Sequence, residues 1–130
     1  MPLVRISLLR GKGEAFGRKV GELVYRAMLD TLNVPLKDKF QVITEHSRES
    51  LIFDPEYLDI ERSEGFIAIQ ITLSEGRSVE TKKAFYKRVV EGLRSELDVR
   101  PQDVFINLVE VSKENWSFGN GVAQYVTAAA

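Results

Sequence analysis

The feature of this sequence that most constrains its fold is an internal repeat with a fixed offset of 65 residues. Nine positions carry the same residue in both copies without a gap, over roughly 45 comparable positions where about three identities would arise by chance. The identical pairs are Ile6 with Ile71, Leu8 with Leu73, Gly11 with Gly76, Val24 with Val89, Leu32 with Leu97, Val34 with Val99, Asp38 with Asp103, Phe40 with Phe105 and Glu45 with Glu110. A repeat of half the chain length of 130 residues predicts two copies of one structural unit.

The first copy has the residue pattern of a strand, a helix and a second strand. Residues 2–8 alternate apolar and polar side chains as a strand does, and residues 13–32 carry apolar side chains every three or four positions, which is helical spacing. Residues 40–45 predict the second strand. The polar, proline-interrupted segment 47–65 predicts an irregular connection, with a short hairpin around residues 51–53.

The second copy repeats this order of elements. Residues 66–73 alternate again and predict a strand. Ser78 is suited to cap a helix that carries apolar residues at steps of four from Phe85 to Leu97. Residues 104–109 predict the last strand.

Two such units can share one sheet. The helix of each unit returns the second strand parallel to the first, so we expect an α+β fold with a four-stranded mixed sheet and two helices on one face. The chain would form one domain, residues 1–130, with β-α-β units at about 2–46 and 66–111 and a C-terminal tail. The other sheet face would still have apolar side chains to bury, which favours association with further copies.

The composition argues against several classes of function. The 18 basic and 19 acidic residues give a net charge of −1, so a nucleic-acid partner is not expected, because phosphate neutralisation needs a basic excess. No apolar run approaches the ~20 residues that span a bilayer, so no membrane partner is expected, and the N-terminus lacks the pattern of a secretory signal. The chain has no cysteine and one histidine, His46, so no metal site is expected, and a cytoplasmic location follows by default.

Pro2 is the first candidate for chemistry. Removal of a start methionine that precedes a small residue would leave Pro2 as the N-terminus, with a secondary amine in place of an amide. An unperturbed α-amino group titrates at about pH 8, and burial or nearby cations would lower its pKa toward that of a general base. Pro2 aligns with Ile67, so the first copy departs from the second at this position. The structural alternative is a proline that merely follows the start methionine.

Arg77 and Asp38 are the next candidates. Arg77 lies between a predicted strand end and a helix N-terminus, where a guanidinium can bind a substrate carboxylate with two parallel hydrogen bonds; the alternative is a solvated arginine in a turn. Asp38 precedes the second strand and could orient the Pro2 amine or activate water. Because Asp103 occupies the same place in the second copy, a turn-forming or capping role is the alternative for Asp38.

The C-terminal tail carries an aromatic pair with no counterpart in the first copy. Trp116 and Phe118, next to Gly119 and Gly121, predict a hairpin that walls a pocket, or a surface that packs against a neighbouring subunit. Both roles can hold together, because pockets often form at subunit boundaries. His46, by contrast, is best interpreted as a half-buried histidine at a strand end.

Several segments of the chain together resemble the tautomerase superfamily, and within it the malonate semialdehyde decarboxylase-like branch. The segments that carry the resemblance are MPL at residues 1–3, VPLKDKFQVITEH at 34–46, GRSVETKKAFY at 76–86, PQDVFINLVE at 101–110 and ENWSFGNG at 114–121. The resemblance implies a homotrimer that uses no metal and no organic cofactor.

The resemblance also implies roles for particular residues. The catalytic positions of that branch match Pro2, Asp38 and Arg77, and its aromatic wall matches Trp116 and Phe118. The branch has a second active-site arginine, which would fall at Glu75, and this is a departure. An acidic side chain at that position cannot bind a carboxylate, which puts decarboxylation of malonate semialdehyde in question.

Three hypotheses for the function follow. The first is keto–enol tautomerisation of a small 2-oxo or enol carboxylic acid: Arg77 would hold the carboxylate, Pro2 would move a proton between two carbons, and Asp38 would position the amine or a water. Trp116 and Phe118 would keep the site dry. The second is decarboxylation or hydration of the malonate semialdehyde type, with a cationic Pro2 that polarises a carbonyl. The third is a non-catalytic trimeric binding protein on the same scaffold.

Overall fold

The computed structural model describes residues 2–127 and shows the two β-α-β units that the repeat predicts. The main elements are β1 (Leu3–Leu9), α1 (Glu14–Thr31), β2 (Phe40–His46), β3 (Ile67–Ser74), α2 (Val79–Leu97) and β4 (Val104–Val111), followed by a four-residue helix α3 (Gln124–Thr127). The sequence therefore predicted the type and order of the six main elements, with boundaries within two residues. No helix in residues 2–127 is both long and apolar enough to cross a membrane.

The strands form one mixed sheet in the order β2-β1-β3-β4. Within each unit the two strands are parallel, as a helical crossover requires, and the units meet through an antiparallel pairing of β1 with β3. This arrangement confirms the expected four-stranded mixed sheet.

The register of the sheet repeats with the same offset as the sequence. Leu3 pairs with Phe40 in the first unit, and Ala68 pairs with Phe105 in the second. Across the central pairing, Arg5 lies opposite Gln70, which is its own counterpart in the second copy. The two units are therefore related by a local two-fold relation that passes through this pair, and it exchanges the two ends of the sheet.

The core lies between the sheet and the two helices. Alternate residues of the central strands are buried, among them Val4 and Ile6 of β1 and Ile69 and Ile71 of β3, each at most 1% exposed. They pack with apolar residues of α1 and α2 such as Val20, Val24, Phe85 and Val89 in a single cluster. Both helices bury one apolar stripe, which places them on the same sheet face.

Neither α1 nor α2 lies against the other sheet face. Side chains that share this face include Phe40, Val42, Phe105 and Val109, which are 38–50% exposed. Their neighbours include the exposed pair Gln70 and Asn107, whose side chains are hydrogen-bonded at 2.9 Å. We call this surface the uncovered face.

The hairpin predicted around residues 51–53 is wrong. These residues form no strand, and the connection instead contains a 3-10 turn at Tyr57–Asp59. The Arg62 guanidinium accounts for the turn, since it donates to the carbonyl oxygens of Asp54, Tyr57 and Ile60 at 3.1–3.2 Å. These hydrogen bonds from one side chain take the place of hydrogen bonds between strands. The alternation of apolar and polar residues over three positions does not indicate such bonds.

Asp103 anchors the same connection to the second unit. Its carboxylate is 1% exposed and accepts hydrogen bonds from the backbone N–H of Ser63 at 2.7 Å and from the Ser63 hydroxyl at 2.6 Å. Arg100 lies 3.7 Å from the same group. For Asp103, the structural role that the repeat suggested is therefore the observed one.

Replacing Asp103 by alanine is expected to lower the free energy of unfolding by roughly 2 kcal/mol, because the half-buried Ser63 N–H and hydroxyl lose their buried acceptor. Urea denaturation would measure the change. The matched control is Glu91→Ala, an exposed carboxylate on α2, which should stay within about 0.5 kcal/mol of the parent protein. Equal effects at the two positions would show that Asp103 contributes no more than a surface charge.

Candidate active site

The topology brings together four chain segments at one end of the sheet. Because β1 and β2 are parallel to each other and antiparallel to β3 and β4, the starts of the first two strands lie beside the ends of the last two. This end holds Pro2, Phe40, Ser74 and Val111, and we call it the Pro2 end. The sequence-predicted residues Asp38, Arg77, Trp116 and Phe118 all follow or precede these strand termini.

Pro2 is buried at the start of β1. The next residue, Leu3, pairs with Phe40 on one side and with Thr72 on the other, so the strand is held by both neighbours from its first position. The same register places Leu73 across from Pro2. The ring is thus fixed at the edge of the core.

Asp38 lies in the turn that leads into β2. Its backbone N–H donates to the Pro35 carbonyl oxygen at 3.1 Å, and the side chain is half-buried. The turn is braced by the Tyr25 hydroxyl, which accepts from the N–H of Lys37 at 3.0 Å. Asp38 is therefore more exposed than its counterpart Asp103, which is fully buried.

Arg77 is held by backbone carbonyl groups. Its Nε and Nη2 donate to the carbonyl oxygen of Leu32 at 3.2 and 3.1 Å, and Nη1 donates to that of Ser74 at 3.1 Å. Leu32 ends helix α1, so the arginine joins the two units. Three of the five guanidinium N–H donors are engaged in this way, and two remain for another acceptor.

Ser74 connects Arg77 to the aromatic tail, a role that the sequence did not indicate. The residue is 7% exposed, and its hydroxyl accepts a hydrogen bond from the indole N–H of Trp116 at 3.2 Å. Its carbonyl oxygen is the one that accepts from Arg77. A single residue at the end of β3 therefore fixes both a candidate substrate-binding group and the aromatic wall.

The aromatic wall is larger than the predicted pair. Trp116 and Phe118 stack with ring centroids 5.4 Å apart and an interplanar angle of 9°. Phe40 lies 6.1 Å from Phe118 in a tilted arrangement, and Tyr125 meets Phe118 edge to face at 5.1 Å. Burial raises the pKa of the Tyr125 hydroxyl. The wall thus combines residues from β2, the tail and α3, which the sequence could not bring together without the fold.

The tail does not form the predicted hairpin. A 3-10 turn at Lys113–Asn115 precedes Trp116, and the Gln124 side chain closes the glycine-rich turn. Its Oε1 accepts from the N–H of Phe118 at 2.9 Å, and its Nε2 donates to the carbonyl oxygen of Gly119 at 2.8 Å. One glutamine amide thereby replaces a strand ladder.

Glu75 stands beside the candidate arginine. Its side chain is exposed and makes no hydrogen bond or ion pair within residues 2–127, whereas its backbone N–H donates to the Val111 carbonyl oxygen at 2.9 Å. The Glu75 carboxylate therefore adds negative charge at the Pro2 end, and no cation in residues 2–127 pairs with it.

No part of the described chain, residues 2–127, groups three or more metal-ligating acidic or histidine side chains closely enough to hold a metal ion. The groups that the Pro2 end brings together are a proline, a carboxylate and a guanidinium beside an aromatic surface.

A duplicated β-α-β chain with a buried proline at position 2 defines a recognisable class of protein. Residues 38–119 match the tautomerase enzyme family. The probable tautomerase YusQ of Bacillus subtilis (strain 168) is 41% identical over 126 residues, covering 97% of this chain and 99% of the relative. The probable tautomerase YrdN of the same organism is 30% identical over 127 residues, 98% of each chain.

Solved structures narrow the class. FG41 malonate semialdehyde decarboxylase inhibited by 3-bromopropiolate is 33% identical with a TM-score of 0.90, over 98% of this chain and 97% of the other. A second malonate semialdehyde decarboxylase is 29% identical, also with a TM-score of 0.90, over 98% of each chain. Native fused 4-OT shares the fold at a TM-score of 0.78 and 18% identity, over 95% of this chain and 98% of the other. The chain belongs to the tautomerase superfamily of enzymes, in its malonate semialdehyde decarboxylase-like branch.

Replacing Ser74 by alanine is expected to loosen the aromatic wall, because the Trp116 N–H loses its acceptor. Trp116 is the only tryptophan of the chain, so the indole band in near-ultraviolet circular dichroism reports on its packing directly. That band should weaken in the variant. Ser95→Ala, which changes a serine on α2, should leave it unchanged. An unaltered band in Ser74→Ala would show that ring stacking alone positions Trp116.

Proposed function

We propose that the chain is a tautomerase that uses Pro2, after removal of Met1, as a general base and acid on a small 2-oxo or enol carboxylic acid. The observation that carries the proposal is the convergence at the Pro2 end. A buried proline, a half-buried aspartate, an anchored arginine and an aromatic wall share one end of the sheet. The two relatives described as probable tautomerases add support.

The position of Pro2 suits a proton carrier. With Met1 removed, burial would cost the charged form of the amine part of its hydration and would lower its pKa relative to that of an exposed α-amino group. The pyrrolidine ring and the two flanking strands hold the nitrogen in one place. Such an amine can remove the proton from the enol oxygen of the substrate and, once protonated, deliver a proton to the adjacent carbon, or carry out the reverse.

The counterpart of Asp38 indicates what that carboxylate does. Asp103 Oδ2 lies 3.0 Å from the place where a Cβ on Gly65 would stand, two residues before Ile67. Because Ile67 is the counterpart of Pro2, the same geometry would direct the Asp38 carboxylate toward the start of β1. There it would orient the Pro2 amine or a water molecule.

Arg77 is proposed to bind the substrate carboxylate. Its anchoring to Leu32 and Ser74 fixes the guanidinium plane before substrate arrives, so less rotational freedom is lost on binding. The two remaining donors suit one carboxylate group. Glu75 disfavours a second negative charge nearby, so we propose a monoanionic substrate over a dianionic one.

Pro2→Ala is expected to reduce the rate of phenylenolpyruvate tautomerisation by at least ~100-fold, because it removes the rigid secondary amine. The measurement is turnover of phenylenolpyruvate and of malonate semialdehyde by both proteins, with intact mass used to confirm that Met1 has been removed. Pro55→Ala, at an exposed proline, is the matched control and should retain full activity. Equal rates for Pro2→Ala and the parent protein, or a retained methionine in an active sample, would exclude proline catalysis.

Decarboxylation or hydration of the malonate semialdehyde type is the second candidate. It is favoured by the two solved decarboxylase structures, each with a TM-score of 0.90. In this reaction Pro2 would stay cationic and polarise a carbonyl while Asp38 activates water. Nitrogen-15 NMR titration of the Pro2 amine separates the two candidates, since a pKa below neutral suits a base and one above ~8 suits a cationic acid.

The third hypothesis, a non-catalytic binding protein, requires only that the wall and Arg77 retain a ligand. If neither substrate is turned over, saturable binding of pyruvate monitored by Trp116 fluorescence would favour this reading.

We further propose that the chain assembles as a homotrimer through the uncovered face. The apolar residues Phe40, Val42, Phe105 and Val109 on that face are partly exposed in the single chain. Phe118 and Phe40 in the wall are also 36% and 49% exposed, so a neighbouring copy would help to close the Pro2 end. Fused 4-OT, which shares the fold, has been solved as a symmetric trimer.

Sedimentation equilibrium of the parent protein is expected to give three times the monomer mass. Val42→Lys, which places a charge on the uncovered face, should shift the equilibrium toward monomer. Val79→Lys is the matched control, because Val79 is 64% exposed at the start of α2 and should leave assembly unchanged. A parent protein that sediments as a monomer would contradict the proposal.

A further inference from the structure

The end of the sheet opposite Pro2 carries a cavity. The local two-fold relation through Arg5 and Gln70 exchanges the two ends, so residues 74–77 are matched by residues 9–12. There the structure has a cavity of about 500 Å³ between the turn after β1, the end of β2 and residues 64–65. We call it the far pocket. Its polar lining comes mainly from Arg10, Lys12, His46, Arg48 and Glu64.

The far pocket has no counterpart, among the residues that correspond to Pro2 and Asp38, of the groups proposed to transfer a proton at the Pro2 end. The counterpart of Pro2 is Ile67, whose nitrogen is an amide within the chain and therefore not basic. The counterpart of Asp38 is Asp103, whose carboxylate is engaged by Ser63. Any role of the far pocket must therefore rest on binding.

The side chains that line the far pocket carry a net positive charge. Arg10 stands where the Pro2 end has Glu75. Its backbone N–H donates to the His46 carbonyl oxygen at 2.9 Å, and its side chain makes no hydrogen bond or ion pair within the described residues. Lys12 stands in place of Arg77, and its Nζ lies over the Phe16 ring at 5.7 Å. Arg48 is paired with Glu64 at 3.2 Å. Three cations and one carboxylate leave a net charge of about +2.

His46 lines the same cavity and has one unsatisfied polar atom. Its Nδ1 lies 3.2 Å from the Ser50 hydroxyl, and its Nε2 is buried with no hydrogen-bond partner in the part of the chain that the structure describes. A buried polar nitrogen without a partner costs free energy that a bound ligand would recover. The Ser50 hydroxyl also lies 3.4 Å from the Ser47 carbonyl oxygen. When its hydrogen goes to Nδ1 instead, Nε2 carries the ring hydrogen, and a rotation of the buried ring would bring that hydrogen to an anion in the cavity.

The turn beside these side chains leaves room for a ligand near the backbone. Gly11 and Gly13 flank Lys12 with φ values of 115° and 88°, in the left-handed region that favours glycine. A Cβ at either position would meet nothing within 4 Å, so the space next to the turn is open. An oxyanion can therefore approach the backbone as well as the basic side chains.

We propose that the far pocket binds a compact dianion of the phosphate class, held by Arg10, Lys12 and His46. A phosphate group concentrates two negative charges and several acceptor oxygens on one centre, which matches the net charge and the converging donors. The binding is independent of the reaction at Pro2. The far pocket is thus a non-catalytic binding site at the opposite end of the sheet. It arose because the unit was duplicated, and residues of the first copy now make it suitable for an anion.

The test is an amide NMR titration of the full chain with inorganic phosphate at constant ionic strength. Saturable shifts are expected for residues 10–13 and 46–48, and not for residues 74–78. Glycerol 3-phosphate and malonate form two further arms. Tighter binding of the monoester than of phosphate identifies an organic phosphate as the ligand, whereas the reverse order identifies the free ion; malonate should bind more weakly than either at these residues.

Paired variants distinguish a built site from general charge attraction. The double variant Arg10→Gln with Lys12→Gln should weaken phosphate binding by about tenfold. Lys12→Arg keeps the charge and should retain binding, and Lys87→Gln, an exposed lysine on α2, should change it less than about twofold. Far-ultraviolet circular dichroism confirms that each variant is folded. Absence of saturation, preferred binding of malonate, or equal loss in Lys87→Gln and in the double variant would overturn the proposal.

Discussion

The antiparallel pairing of β1 with β3 is the contact on which the rest of the molecule depends. It is where the strands of the two units meet, and its register sets Arg5 opposite its own counterpart Gln70. A slip of one residue would turn the buried side chains of one central strand away from the helices. The same slip would separate Pro2 from the end of β3, where Ser74 holds both Arg77 and Trp116. Stability and the geometry of the candidate site therefore rest on one register.

Around this common frame, the two units carry side chains of different chemical character at the sheet ends. The buried strand positions remain apolar in both copies, because both must pack against helices. At the ends, Ser74 corresponds to the apolar Leu9, and Glu75 corresponds to Arg10. Asp38 is half-buried while Asp103 is closed off by Ser63. The need to pack against the helices keeps the buried strand positions apolar in both units. Positions at the sheet ends are not restricted in this way, and their side chains differ in charge and polarity between the two units.

The sequence allowed the fold to be predicted because its signals are local or periodic. Alternation marked the strands, spacing marked the helices, and the offset of 65 residues related the units, all of which the structure confirms. The candidate site could be predicted from the sequence only in part. Residue type and family resemblance indicated Pro2 and Trp116, but two of the bonds that anchor Arg77 go to the carbonyl oxygen of Leu32, which is 45 residues away in sequence. Carbonyl groups are the same at every position, so no pattern of side chains reveals which ones an arginine will reach.

Phe40, Ser74 and Tyr125 were missed for a related reason. Each is an ordinary strand or tail residue by its neighbours in sequence, and each gains a role only when the strand ends meet. The hairpins predicted in the connection and in the tail were wrong because single side chains, Arg62 and Gln124, satisfy the local backbone groups. Side-chain bonding of this kind competes with strand pairing and is not periodic.

The covalent link between the two units has an evolutionary consequence. Were the units separate identical chains, every substitution would appear at both ends of the sheet, and a change that improved one end would alter the other equally. In the joined chain a single codon change acts at one end only. The molecule can therefore carry a proline at one end of the sheet and a basic pocket at the other, and selection can adjust each end without altering the other.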